Sequence, residues 1–90
     1  MTLDLSRSSV DFLLGLDAKP LRQIIRKILM LLTDPRPNDA QLLKGYDKMW
    51  RTDVGEFRII YRFDDLKIYT VLIGRRNDDD VYPRLDRIIH

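Results

Sequence analysis

Ninety residues, 44% hydrophobic and 33% charged, suit one small soluble domain over residues 1–90 and not a disordered chain. The chain has no cysteine and one histidine, His90, which excludes a disulfide framework, a cysteine-based zinc site and a multi-histidine metal site. Net charge is +2, with 6 basic and 5 acidic side chains in the first 43 residues and 10 and 9 in the remaining 47, so an anion site has to come from local arrangement and not from a basic stripe.

"TLDL" at residues 2–5 alternates and reads as a short first strand. "SRSS" then offers caps to a short helix carrying Val10, Phe12, Leu13, Leu14 and Leu16. Asp17 is placed to cap a second helix, with Pro20 tolerated in its first turn. There Leu21, Ile24, Ile25, Ile28, Leu29 and Leu32 follow i, i+3, i+4 spacing, with Arg22, Arg26 and Lys27 off that face. Asp34-Pro35-Arg36-Pro37 stops it. The N-terminal run lacks the layout of a signal peptide, and the most apolar segment, "LRQIIRKILMLL", is too short to span a bilayer. A soluble cytoplasmic protein with no membrane attachment is expected.

Residues 38–47 read as a loop with a turn near Leu42 and Leu43, followed by strands at about 48–53, 56–64 and 67–74. Asp64 facing Lys67 across a tight hairpin sets Phe63 opposite Ile68, Tyr61 opposite Thr70 and Ile59 opposite Leu72. One sheet face then carries Phe57, Ile59, Tyr61, Phe63, Ile68 and Leu72 under the long helix. The other carries Arg58, Ile60, Arg62, Tyr69, Val71 and Ile73, too apolar to be wholly solvated. Pro83 to His90 suits a short terminal helix. The expected class is α+β: two N-terminal helices on a small, mainly antiparallel four-stranded sheet, in the order β-α-α-β-β-β, with the first strand at an edge.

Three groups stand out as chemistry. Arg58 lies among apolar strand residues in "TDVGEFRIIY", where it either snorkels to water or is aimed at an anion. In "GRRNDDDVY", Gly74 ends the strand, and Arg75 and Arg76 can grip a phosphate or be matched by Asp78, Asp79 and Asp80. In "KMWR", Trp50 suits the core, and Lys48 and Arg51 suit the surface.

Together these elements resemble the RelE/ParE toxin superfamily: an L-x-G before the second strand, the Trp50-Arg51 pair, V-G-x-[YF]-R-[IV]-[IV]-Y over Val54 to Tyr61, a hairpin, and a strand ending in glycine, a basic pair and a Val-Tyr. The resemblance spans nearly the whole chain and is strongest over residues 42–82. It implies a β-α-α-β-β-β fold and the toxin of a type II toxin–antitoxin system. For the RelE-like branch it implies an endonuclease that cuts mRNA in the ribosomal A site with no metal and no cofactor. It implies catalytic roles for Arg58, Arg76 and Tyr82 and RNA binding by Arg51, Lys48 and Arg75. The expected partner is a cognate antitoxin lying across apolar patches and blocking the basic groove, with DNA contacted only through that antitoxin. A ParE-like inhibitor of gyrase without nuclease action, and an inactive binding member, are the alternatives. Asp53 departs from the pattern, since many relatives are basic there; it is expected to point away or to pair with an arginine.

Overall fold

The computed structural model describes residues 1–77 and 81–89. Asp78, Asp79 and Asp80, one of the two matches the sequence offers for the arginine pair, and His90 lie outside the described residues. In chain order the elements are β1 Thr2–Leu5, α1 Arg7–Leu14, α2 Ala18–Thr33, β2 Gln41–Leu42, β3 Trp50–Val54, β4 Phe57–Phe63, β5 Lys67–Arg75 and α3 Val81–Ile89. The strands form one sheet in the order β1-β5-β4-β3-β2. β1 runs parallel to β5 and the other pairings are antiparallel. The sheet is therefore five-stranded, not four-stranded. The additional strand is only Gln41 and Leu42, too short to leave an alternating pattern in the sequence.

α1 begins at Ser6, whose Oγ accepts from the Ser9 amide, as a serine N-cap does. Ser9 is buried and donates its hydroxyl to the Thr70 carbonyl, which fixes the helix onto β5. Asp17 stands at the N-cap position of α2 in extended conformation, but its side chain makes no capping bond. The inward line of α2 is Ile24, Ile28 and Leu31, at i, i+4, i+7. Leu29, expected on that face, is 53% exposed, because the buried stripe is centred one position round the helix from the sequence pattern.

β4 and β5 form the expected hairpin from Phe63↔Ile68 to Tyr61↔Thr70. Beyond that the register shifts: a β-bulge leaves Val71 unpaired, and Ile60 faces Leu72 and Ile59 faces Ile73. The expected Ile59–Leu72 pairing is thus corrected, and Leu72 and Ile73 exchange faces. Ile73 joins Phe57, Ile59, Tyr61 and Ile68 in the core under α1 and α2. Leu72 joins Ile60, Leu43, Met49, Val81 and Leu85 in a second core on the opposite face. α3 supplies the cover that this face calls for, and it starts two residues before the expected Pro83. Trp50, expected in the core, is only partly buried, with its ring 5.9 Å from that of Phe63. Among the described residues no helix is long and apolar enough to cross a membrane.

The loop after α2 is tied to the sheet by polar contacts. Tyr61 is fully buried and donates its hydroxyl to the Pro35 carbonyl at 2.6 Å. Asp39 accepts from Lys27 Nζ at 2.9 Å and from Thr52 Oγ1 at 2.7 Å. Burial, together with the Asp39 and Asp34 charges, holds the Tyr61 phenol well above the usual tyrosine value. The folded state therefore favours the neutral phenol. That contribution is complete below the unfolded-state value of about 10 and is lost as pH rises beyond it. Tyr61→Phe is expected to cost about 1–2 kcal/mol at neutral pH, since it orphans the Pro35 carbonyl. It should also flatten the loss of stability above pH ~10. Urea unfolding of both proteins from pH 7 to 11 checks this.

Candidate functional site

The strand alternation that sends Phe57, Ile59 and Tyr61 under the helices sends Arg58 to the α3 face. The two-residue Gly55-Glu56 turn pairs Val54 with Phe57 and so sets Asp53 directly opposite Arg58. Gly55 holds φ +57 at that turn, a left-handed conformation that costs a side chain energy. Arg58 Nε donates to Asp53 Oδ1 at 2.9 Å and Nη2 to Oδ2 at 3.4 Å. Its remaining edge donates from Nη1 to the Tyr82 hydroxyl oxygen at 2.9 Å. Arg58 does not snorkel: its side chain is only 17% exposed. The hydrogen bond to Asp53 holds its guanidinium above even the usual arginine value.

Two further arginines converge on the same carboxylate. Arg76 Nε lies 3.5 Å and Arg51 Nη1 3.8 Å from Asp53 Oδ2. Arg76 is fixed by backbone as well as side chain: its amide donates to the Glu56 carbonyl at 2.8 Å and its Nη1 to the Gly55 carbonyl at 3.3 Å. Arg51 is steadied by Gln41, whose Oε1 accepts from Nη2. Among the described residues, three guanidiniums around one carboxylate leave an excess of two positive charges. Asp53 therefore pairs with arginine, the second of the two outcomes expected for it.

Beside this cluster Arg51 and Tyr82 line a hollow of ≈450 Å³ with Lys44, Tyr46, Leu42 and Leu43. Its floor is joined to α3 by Tyr46, whose hydroxyl donates to Asp86 Oδ1 at 2.7 Å. That hydrogen bond to Asp86 holds the Tyr46 phenol above its usual range. Larger hollows lie by Asp4, Arg62 and Tyr69 and along α2, but neither includes a member of the arginine cluster. Convergent charge, not volume, marks this cluster as the candidate site, since fixed guanidinium donors suit an anion.

The structure brings Arg51, Arg58, Arg76 and Tyr82 together. It does not bring Lys48 or Arg75 to them. Lys48 sits in the β2–β3 connection at φ 54 and lines a hollow with Arg62, Phe63 and Asp64, at the far end of β4 from Arg58. Arg75 donates to Glu56 Oε1 at 2.6 Å and lies over the Phe57 ring, on the α1–α2 side of the sheet. Arg75 is the last residue of β5 and Arg76 the first beyond it, and the two side chains go to different partners, Glu56 and Asp53. The sequence pattern ends the strand at Gly74, but β5 continues to Arg75. Gly74 is a buried position directly opposite Arg58, where an added Cβ would stand 2.8 Å from Val81 Cγ2. The missing side chain lets the first turn of α3, and with it Tyr82, come down on the sheet. A glycine inside a strand signals such a close approach.

The same fold occurs in solved structures. The chain superposes on a free-state double arginine-to-alanine mutant of the E. coli toxin RelE with a TM-score of 0.79 at 18% identity, over 99% of this chain and 97% of that one. The RelE–RelB complex from the archaeon Pyrococcus horikoshii OT3 matches with a TM-score of 0.72 at 22% identity, over 84% and 94% of the two chains. The RelBE2 toxin–antitoxin complex of Mycobacterium tuberculosis matches with a TM-score of 0.71 at 18% identity, over 83% and 96%. No protein-family model matches the sequence, and no curated protein matches it at a significant level. The chain has the RelE-like fold.

Gly74→Ala is expected to lower stability by about 1–3 kcal/mol through overpacking and to speed hydrogen exchange in the first turn of α3. Val81→Ala in the same chain should recover part of the loss by removing the clashing methyl. Denaturant unfolding and amide exchange measure both.

Proposed function

We propose that this chain is the toxin of a type II toxin–antitoxin system and acts as a ribosome-dependent mRNA endonuclease that arrests translation. The observation that carries the reading is the Arg58–Tyr82 hydrogen bond with Arg51 and Arg76 converging beside it. RNA cleavage of this kind forms a bond from the ribose 2′-oxygen to the adjacent phosphorus as the bond to the downstream 5′-oxygen breaks. The 2′-hydroxyl gives up its proton, the departing oxygen gains one, and a 2′,3′-cyclic phosphate remains. The phosphorus passes through a state of greater negative charge, which fixed guanidiniums in a partly dry groove stabilise.

Arg58 and Arg51 take that electrostatic role, and Arg76, at the rim, holds the phosphate and neutralises the leaving oxygen. An arginine remains protonated at any working pH, so Arg76 serves as a charge and a hydrogen-bond donor, not as a proton source. Tyr82 accepts from Arg58, which leaves its own O–H free to orient the 2′-hydroxyl or a phosphoryl oxygen. Alignment of the strained RNA supplies much of the remaining barrier reduction, and this is the reason for a ribosome to present the message. Lys48, distant from the cluster, fits a contact to flanking RNA; Arg75, paired with Glu56 on the other side of the sheet, takes no part in this reading.

The partner in this reading is a cognate antitoxin, as in the RelE–RelB complexes of the same fold. Leu29 and Met30 of α2 are 53% and 56% exposed beside Arg22 and Arg26, a surface suited to an acidic amphipathic segment. A gyrase-binding reading gains nothing from the Arg58–Tyr82 contact, which a non-nuclease has no need to maintain.

Ribosomes programmed with a defined mRNA, incubated with wild type, Arg58→Ala, Arg76→Ala and Tyr82→Phe, test the proposal. Wild type is expected to cut, and each variant to lose roughly a hundredfold or more in rate. Full activity in both Arg76→Ala and Tyr82→Phe contradicts the assignment. Inhibition of gyrase supercoiling without RNA cleavage contradicts the reaction class.

A further inference from the structure

We propose that Asp53 is a resident counter-anion: its carboxylate occupies the place a substrate phosphate must take, and it thereby weakens binding of phosphodiesters by the free protein. This rests on the nuclease reading of the site and extends it to the control of substrate binding.

The geometry supplies the argument. Arg58 offers its Nε–Nη2 edge to the two oxygens of Asp53, at 2.9 and 3.4 Å. A carboxylate and the two non-bridging oxygens of a phosphodiester compete for that same fork. Arg76 and Arg51, the other cations a phosphate would use, also turn a nitrogen towards Asp53 Oδ2, at 3.5 and 3.8 Å. With the side chains of Arg58 and Asp53 only 17% and 26% exposed, water screens the competition less than on an open surface. Arg7–Asp11 is the contrast: at 89% and 61% exposure it is a pair that solvent discounts almost entirely.

An RNA arriving alone must displace an anion that is covalently tethered and already in register. The tethered group loses no translational freedom on binding, whereas the incoming one does. An RNA held in place by other contacts has only the local exchange to make. Asp53 thus penalises free RNA most and presented RNA least. When the carboxylate is displaced, Arg58 keeps its hydrogen bond to Tyr82, so the exchange need not dismantle the Arg58–Tyr82 contact.

The test uses the full chain and a single-stranded oligonucleotide with 2′-deoxy sugars, which cannot be cut by 2′-oxygen attack. Its affinity is measured by fluorescence anisotropy across a salt series for wild type, Asp53→Asn, Asp53→Ala, Asp53→Glu and Arg58→Ala, with inorganic phosphate as a second probe. Asp53→Asn keeps the shape and an acceptor for Arg58 but removes the charge. It is expected to tighten oligonucleotide binding about fivefold and to steepen the salt slope by about 0.7, one more neutralised phosphate. Asp53→Ala should also tighten binding, and Asp53→Glu, which restores the charge, should stay within about twofold of wild type. Phosphate should follow the same order.

The proposal is overturned if Asp53→Asn and Asp53→Ala bind no more tightly than wild type, or if Asp53→Glu tightens as much as they do. If Arg58→Ala weakens binding while Asp53→Asn fails to tighten it, only the counter-anion role falls. If Arg58→Ala binds as well as wild type, the nuclease reading of the cluster falls with it.

Discussion

The pairing of Arg58 with Asp53 across β3 and β4 is the constraint on which the site depends. It exists because the two-residue turn at Gly55-Glu56 fixes one register. A slip of one residue would carry Arg58 into the core under α1 and α2 and bring Ile59 out. The apolar alternation of Phe57, Ile59 and Tyr61 opposes that slip, since all three are fully or almost fully buried. The hydrophobic pattern of β4 and the aim of Arg58 are therefore one fact seen from the two faces of the sheet. Arg58 in turn orients Tyr82, and the carboxylate it grips gathers Arg51 and Arg76.

The second constraint is the bulge at Val71. Without it Leu72 would fall under the N-terminal helices and Ile73 would face α3. With it each face has the side chains its core uses, Ile73 on one and Leu72 on the other. The irregular stretch is held by the α1 start, where Ser6 Oγ donates to the Val71 carbonyl at 2.6 Å and Ser9 Oγ to that of Thr70 at 3.2 Å. Gly74 lies three residues past the bulge and gives α3 its close seat. A sheet irregularity and one absent side chain thus connect the N-terminal cap to the position of Tyr82 near the other end of the chain.

The parts legible in the sequence are those governed by period and turn chemistry. α2 follows from its 3.6-residue spacing, and the β4–β5 hairpin from Asp64, which caps its own turn by accepting from the Leu66 and Lys67 amides. Arg51, Arg58, Arg76 and Tyr82 group as a set only through the resemblance to the RelE/ParE pattern, since no local pattern joins positions 51 and 82. The bulge was not legible, because valine is an ordinary strand residue and carries no mark of being unpaired. The additional strand, β2, is too short to show a period. The same resemblance groups Lys48 and Arg75 with the site, but the turn around φ 54 at Lys48 and the pairing of Arg75 with Glu56 keep both away from it. Asp53 is the instructive position: a charge unwelcome in a list of site residues becomes, in three dimensions, the group that holds the list together.

The account treats these arginines as one phosphate-binding unit. Titrating ¹⁵N-labelled protein with a non-cleavable RNA-like oligonucleotide, while following the side-chain Nε–Hε resonances of its arginines, tests that directly. The account predicts that the Arg58 and Arg76 signals shift together along one binding curve, joined by the backbone amides around Tyr82, while Arg7 and Arg75 stay still. Shifts confined to other arginines, or separate curves for Arg58 and Arg76, would contradict it.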